Sequence, residues 1–343
     1  MRVLFTLLLV AVFSFSFSQT PATAVEYMKY LTDREEELSR KYLSYMSEVA
    51  HGNRARKMEK RRQELIAEIR QSLGEASRLR PFKTDATLRD SFKNYWDILL
   101  KVFNEDYHKI VNMEEIAEQS YDNMEAYLLA QEKAGDVLDE ACAKIAPVYS
   151  TFAANNNVRL IHNGDTKMEK NLRQVGQVNT YNHRVFLIFF KAFKQNAYVW
   201  ESFNKKDING LEQNRGTLVK VCEEGLAKLD TLQPFQGDPS QANACRKVLE
   251  YFRQEAETKV PGLSDYLLKS DEFARIKKAF DAKPEAKRTQ TDIDVYNKAV
   301  DDLNASATLS NKIISETNSS RQKVLDQWEN ARKRFMEEHV PKD

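Results

Sequence analysis

Glycine and proline are scarce in this 343-residue chain, which contains only 10 of the first and 8 of the second. Because these residues interrupt helices and strands, their scarcity argues against a fold built from short elements and tight turns. Charged residues, by contrast, make up 30% of the chain. Many charges with few helix breakers are typical of long solvated helices and not of a sheet protein. Apolar residues also recur at spacings of three and four almost throughout, so the sequence predicts an all-α fold.

An excess of one charge sign is also missing, since 52 Lys and Arg residues stand against 51 Asp and Glu residues. This balance argues against a general nucleic-acid binder, which would carry a basic excess, and no nucleic-acid partner is expected. The basic run "RARKMEKRR" at 54–62 and the acidic run at 33–37 are both interpreted as solvated helix faces. For the basic run, contact with anionic lipid or polysaccharide stays open, as does peripheral membrane contact.

Cysteine is limited to Cys142, Cys222 and Cys245, which excludes a disulfide-dense scaffold. Cys222 and Cys245 lie at nearly equal distances from the centre of the loop 231–241, so antiparallel flanking helices would bring them close together. We expect either a disulfide that staples this hairpin or two buried free thiols. Cys142 has small and apolar neighbours and is predicted to be buried.

The one long hydrophobic run stands at the start, where Arg2 precedes an apolar stretch that ends near Phe17. Small residues before a cut between Ser18 and Gln19 predict a secretory signal peptide over residues 1–18. A second possible cut follows Ala24. A retained anchor is the alternative, but the run is shorter than the ~20 residues that a spanning helix needs. No cysteine lies near the cut, so a lipoprotein is not indicated, and the sequence predicts an exported chain.

The mature chain, residues 19–343, is predicted to be a single elongated domain of long antiparallel helices, with a possible subdivision near 154–166. A seven-residue apolar repeat from Ile293 to Phe335 predicts a C-terminal helix of about 50 residues that packs lengthwise on its neighbours. No short internal repeat is evident. The predicted helices cover 21–50, 54–79, a segment from 84 or 85, 113–154, 166–203, 208–229, a segment that ends at 259, 264–282 and 289–338.

The stretch "VFLIFFKAFKQNAYVW" at 185–200 is the most apolar part of the mature chain. Its helical spacing places Phe186, Phe189, Phe193 and Trp200 on one face. The apolar core of this stretch is too short to cross a bilayer. We interpret the aromatic stripe as the buried face of a central bundle helix. The alternatives are a helix lying on an anionic membrane surface and a pocket that binds a lipid or another amphiphile.

Two Glu-x-x-His pairs, Glu48 with His51 and Glu105 with His108, have the spacing found in di-metal carboxylate bundles. His51 stands beside Gly52 at a predicted helix end, whereas ligands of a bridged metal pair belong in helix interiors. Phosphate-binding glycine loops, zinc-type cysteine pairs and nucleophile elbows are absent from the sequence. The chain is therefore not expected to be an enzyme or to carry a cofactor, and the di-metal bundle is kept as an alternative.

Four stretches, "LIFFKAFKQNAY", "EQNRGTLVKVCEEGLAKLD", "NACRKVLEYFRQEAE" and "KRTQTDIDVYNKAVDDLNA", resemble an uncharacterised family of exported, all-helical bacterial surface proteins. The resemblance implies the envelope of a Gram-negative bacterium, in the periplasm or at the cell surface, and supplies no catalytic residues. The expected function is that of a non-enzymatic helical interaction or structural module with an unidentified envelope partner. An amphiphile-binding periplasmic protein is the first alternative.

Overall fold

A computed structural model describes residues 21–50, 55–106, 117–161 and 166–341. Within those ranges the chain forms helices and no strand, which confirms the predicted all-α fold. The predicted signal peptide lies outside the described residues. The helices are α1 (Ala24–Ala50), α2 (Ala55–Arg78), α3 (Thr87–Lys101), α4 (Tyr121–Ala143), α5 (Ile145–Asn155), α6 (Lys167–Asn204), α7 (Ile208–Thr231), α8 (Ser240–Thr258), α9 (Val260–Ala282) and α10 (Gln290–His339). A single π turn (Val102–Asp106) follows α3. No helix among the described residues is long and apolar enough to cross a membrane.

Prolines explain two of the helix boundaries that differ from the prediction. The segment predicted as one helix over 113–154 is divided at Lys144. Pro147 lacks an N–H and its ring clashes with the carbonyl four residues earlier, so α4 ends at Ala143. The predicted break between α8 and the next helix falls at Lys259, but Pro261 does not delay that helix to residue 264, because α9 begins at Val260. A proline in the first helical turn costs nothing, since the N–H it lacks would have no partner there.

The buried residues form two cores, which divide along the chain between α5 and α6. The subdivision into domains near 154–166 stays a prediction, because the second core also contains Met124 and Leu128 of α4. The first core includes Leu31 of α1 and Trp96 of α3, and the second includes Val185 of α6 and Trp328 of α10. Residues from the first half also enter the second core, among them Leu43 at the end of α1. The two halves are thus packed against each other.

A turn of the same sequence and geometry occurs once in each half, just before α3 and just before α8. The segments "PFKTDAT" (81–87) and "PFQGDPS" (234–240) share the pattern Pro-Phe-x-x-Asp-x-Ser/Thr. In each, the Phe and the Asp pair through their backbones, and the next residue after the Phe has a positive φ. A carboxylate oxygen of Asp85 accepts from the N–H of Thr87 at 2.8 Å. Asp238 accepts from the N–H of Ser240 at the same distance.

The phenylalanine of each turn joins a matching triad of rings. In the first half, the ring centroid of Phe82 lies 5.5 Å from Tyr27 of α1 and 5.8 Å from Phe152 of α5. In the second half, Phe235 lies 5.5 Å from Tyr181 of α6 and 5.6 Å from Phe335 of α10. The two halves therefore repeat one arrangement of helices. Because the sequence likeness is concentrated in the turn, a search for short repeats misses it.

The hairpin of α9 and α10 extends away from the core. The last buried residue of α9 is Leu267, and the first buried residue of α10 is Ala299. Between them lies the segment 268–298, here called the arm, in which Tyr296 packs on Phe280 with ring centroids 4.6 Å apart. The predicted seven-residue seam is therefore buried only in the later part of α10, while its first residue, Ile293, is exposed.

Candidate functional site

Helices α6 and α10 run antiparallel and meet through aromatic side chains. Tyr181 meets Phe335, and Phe189 stacks on Trp328 with ring centroids 4.5 Å apart. At the far end of the contact, Trp200 of α6 meets Arg321 of α10. The aromatic stripe predicted on α6 thus faces one partner helix along its length.

The innermost face of α6 is formed by smaller residues than the predicted stripe. Val178, Val185, Ala192 and Val199 recur every seven residues and are all 0% exposed. Of the predicted core residues, Phe189 is buried, Phe186 and Trp200 are half-buried, and Phe193 is 37% exposed. The prediction that the whole stripe is core is wrong for Phe193. Small side chains let the helices approach closely, which leaves large rings at the edge of the contact.

This edge forms an open groove of about 440 Å³ between α6 and α10. Its apolar lining consists of Phe186, Phe189, Phe193, Leu325 and Trp328. Charged side chains surround this lining, namely Glu118, Asp326, Glu329 and Arg332. The ring of Phe189 stacks on both Trp328 and Phe193. Three of the four residues predicted to bind an amphiphile therefore line one groove, here called the aromatic groove.

Trp200, the fourth, belongs to a polar cluster beyond the groove. Its indole N–H donates to Oε1 of Glu255 at 2.9 Å, and the guanidinium of Arg321 lies 4.3 Å from its ring centroid. Arg321 also donates to Oε1 of Glu255, whose side chain is 1% exposed. Nearby, the Tyr251 hydroxyl donates to the Thr317 carbonyl at 3.0 Å. The polar middle of α10 thus has polar partners within the chain.

A second buried carboxylate, that of Glu35, lies in the first half. It accepts hydrogen bonds from the indole N–H of Trp96 at 2.9 Å and the hydroxyl of Tyr95 at 3.1 Å. Burial raises the pKa of Glu35 to about 7, and the hydrogen bonds from Trp96, Tyr95 and Ser39 offset this only in part. Glu35 belongs to the acidic run at 33–37, so the prediction of a solvated face is wrong at this residue. The carboxylate holds α3 against α1.

Cys222 and Cys245 both lie in the second core and are 0% exposed. Their thiols are free in this structure, and the disulfide stays a prediction. Burial raises the pKa of Cys222 to about 12 and that of Cys245 well above its ordinary value. Cys142 is exposed, contrary to the prediction. Its neighbour Ala141 takes the buried position, and the next residue of a helix points about 100° away.

The proposed metal ligands are only partly described. The carboxylate of Glu48 is buried and lies 2.8 Å from Nζ of Lys57. Glu105 is exposed in the π turn. His51 and His108 lie outside the described residues, so the di-metal site stays a hypothesis. A carboxylate that is already paired with a lysine is less available as a metal ligand.

The basic run at 54–62 is not uniformly solvated. Arg62 is buried, donates to the carbonyl of Phe103 at 2.6 Å and pairs with Glu59. A corresponding pair in the second half joins Arg215 to Glu212. The solvated-face interpretation is therefore wrong for Arg62, which ties α2 to the end of α3.

No protein-family model, curated protein or solved structure matches this chain. The resemblance to exported helical surface proteins thus stays an expectation, and a function has to be argued from the geometry of the aromatic groove.

Proposed function

We propose that this protein is a non-enzymatic binding module, exported to the periplasm or surface of a Gram-negative bacterium, that holds an apolar helical segment of a protein partner. The aromatic groove is the observation that carries the proposal. It is open, and it lies between two long helices of the second core. Grooves of this kind accept the apolar face of an amphipathic helix.

Phe193 is the aromatic residue of the groove with the largest exposed fraction for a partner to bury. It is 37% exposed and stacks on the buried Phe189 with ring centroids 5.6 Å apart. Burying a phenylalanine completely contributes on the order of 1.5–3 kcal/mol, so covering the exposed part of this ring supplies a fraction of that. Aromatic anchors in pockets commonly dominate the binding energy of an interface.

The charges around the groove favour a peptide over an anionic lipid. Glu118, Asp326 and Glu329 supply three carboxylates against the single guanidinium of Arg332. A rim with this balance repels phosphate head groups and attracts lysine or arginine. We therefore expect an apolar helical segment flanked by basic residues.

The buried carboxylates support a non-enzymatic role. Glu35 accepts from Trp96 and Tyr95, and Glu255 accepts from Trp200 and Arg321. Each carboxylate joins different helices in one of the two halves. Their hydrogen bonds are thus used to hold helices together.

A photocrosslinking amino acid at position 193, in the native host, tests the proposal. Tyr198 on the same helix is also 37% exposed and does not line the groove, so position 198 is a matched control. We expect a crosslinked peptide from 193 only, with an apolar face and basic flanks. A synthetic copy of that peptide should bind the F193E variant at least tenfold more weakly than the Y198E variant. Equal crosslinking at both positions would contradict the proposal.

Binding of a lipid or another amphiphile is the second candidate, because Phe186, Phe189 and Phe193 line the groove as that hypothesis requires. Native mass spectrometry of gently purified protein distinguishes the two candidates. An added lipid mass that disappears in F193E would favour the amphiphile, whereas a bare chain mass together with a peptide crosslink would favour the helical segment.

Export is tested separately by sequencing the amino terminus of the protein from its own host. We expect it to begin at Gln19 or, for the second cut, at Val25, in the periplasmic or surface fraction. An intact terminus in the cytoplasmic fraction would remove the envelope location without affecting the groove.

A further inference from the structure

Three ligand-type side chains meet where the second Pro-Phe turn contacts the end of α10. Nε2 of His339 lies 2.9 Å from a carboxylate oxygen of Asp238. Glu338 is the third member, and one ligand atom from each of the three residues lies within 4.8 Å of the others. They open into a groove of about 520 Å³, which Arg334 also lines.

Two of the three side chains are fixed by their neighbours. Asp238 accepts hydrogen bonds from the N–H and the hydroxyl of Ser240, at 2.8 and 3.0 Å. The ring of His339 packs edge-on against Phe235, with centroids 5.1 Å apart, and lies 4.7 Å from Phe335. Glu338 is exposed on the last turn of α10 and can rotate.

The first half shows that the turn does not require these groups. Asp85 makes the same cap as Asp238, and Phe152 takes the place of Phe335. Three and four residues after Phe152 stand Asn155 and Asn156, where the second half has Glu338 and His339. The amide of Asn156 donates to the carbonyl of Phe152 at 2.9 Å, within its own helix. The carboxylate and the imidazole are therefore an addition to a turn that forms without them.

We propose that Asp238, Glu338 and His339 bind a zinc ion. Zinc takes imidazole nitrogen and carboxylate oxygen at about 2.0–2.2 Å, which places its ligand atoms about 3–3.6 Å apart. Rotation of the exposed Glu338 side chain closes the remaining distance. The ion then lies between Nε2 of His339 and the carboxylate of Asp238.

The ligand types select the metal. Imidazole suits zinc and its transition-metal neighbours, whereas magnesium and calcium prefer all-oxygen sites. The two carboxylates offset the charge of the ion, while the nearby Arg334 opposes it, so we expect reversible binding and not a permanent structural metal. Three protein ligands leave a coordination position open to water or to a group from a partner.

Calorimetric titration of the mature chain with zinc chloride tests the site through two matched pairs of variants. E338Q removes a proposed ligand, whereas E337Q removes the neighbouring exposed carboxylate. D238N and D85N remove the same capping carboxylate from the second and the first turn. We expect E338Q and D238N to weaken zinc binding on the order of tenfold or more, with E337Q and D85N close to the wild type.

H339N completes the test, because histidines outside the described residues could hold zinc elsewhere. We expect H339N to lose the same binding event that E338Q and D238N weaken. Absence of zinc binding by the wild type would overturn the proposal. So would unchanged binding in H339N and E338Q. Both variants should remain folded, since Glu338 is exposed and the first half carries an asparagine, Asn156, at the position of His339.

Discussion

Phe82 and Phe235 occupy the same position in the two halves, and each ring centroid lies 5.5 Å from a tyrosine on the first helix of its half. The two turns that carry these rings start α3 and α8. The relationship makes one half a control for the other, because a substitution can be made twice in the same local geometry.

The two phenylalanines are expected to contribute comparably to stability. Both are half-buried, so F82A and F235A should each lower the free energy of unfolding by about 2 kcal/mol, roughly half the cost at a fully buried site. Phe82 and Phe235 have no ring partner in common, so the double variant should show the sum of the two losses. Urea unfolding measures this, and L268A in the arm is the control with a smaller expected loss, because Leu268 is 53% exposed. A cost at one turn only would show that the halves are not energetically equivalent.

Replacing Glu35 should remove a pH dependence of stability. Its pKa is about 7 in the folded chain, above the ordinary value of 4.5, so the folded state binds this proton more tightly. The stability that this tighter proton binding contributes is fully present below about pH 4.5 and is lost as the pH rises through 7. Between pH 5 and 8 the free energy of unfolding of the wild type should fall by about 2 kcal/mol, whereas that of E35Q should not show this fall. Chemical unfolding at both pH values measures the difference, with E36Q as control; parallel curves for wild type and E35Q would refute the assignment.

Arg321 is expected to be essential to the buried polar cluster. R321M leaves the carboxylate of Glu255 without its cation, at a cost of about 3 kcal/mol in the free energy of unfolding. The double variant E255Q/R321M should recover most of this loss, since a neutral amide can still accept from the indole of Trp200. R215M, which breaks a more exposed pair, should cost about 1 kcal/mol or less. An equal loss of unfolding free energy in R321M and R215M would show that the pair of Arg321 and Glu255 is not shielded from water.

The three cysteines should react in two classes. The exposed Cys142 should be modified by a thiol reagent in the native protein, whereas Cys222 and Cys245 should react only after unfolding. Burial keeps the reagent away from both thiols. It also raises the pKa of both, so that little reactive thiolate is present. Mass spectrometry after alkylation in denaturant without reductant should show three modified cysteines, and C142S should show two. A single modification in the wild type would reveal the disulfide.

The order and extent of the helices could be predicted because apolar periodicity is a local property of the sequence. Loops and caps marked most of the ends, as Thr289 marks the start of α10. The internal repeat could not be found by the same means, because helices tolerate exchange of apolar residues.

In the second half, Asn182 and Gln241 form a buried hydrogen bond of 2.7 Å, although neither looks like a core residue in the sequence.

Only part of the aromatic groove could be predicted. The spacing of the aromatic residues identifies one face of α6, but it does not identify the helix that packs on this face. The spacing identifies Phe186, Phe189 and Phe193, whereas nothing local pairs them with Trp328, which lies within the repeat from Ile293 to Phe335. The cluster of Asp238 with His339 joins residues that are far apart in the chain, so no local spacing could indicate it. A sequence signal existed in the duplicated turn, which marks Asp238 as a fixed carboxylate.

Helix α10 connects the arm, the buried polar cluster, the aromatic groove and the proposed zinc site. Its 50 residues extend about 75 Å at 1.5 Å per residue, from the arm at Tyr296, past Arg321 and Trp328, to His339. The arm and one wall of the aromatic groove are therefore parts of a single continuous helix, with no loop between them.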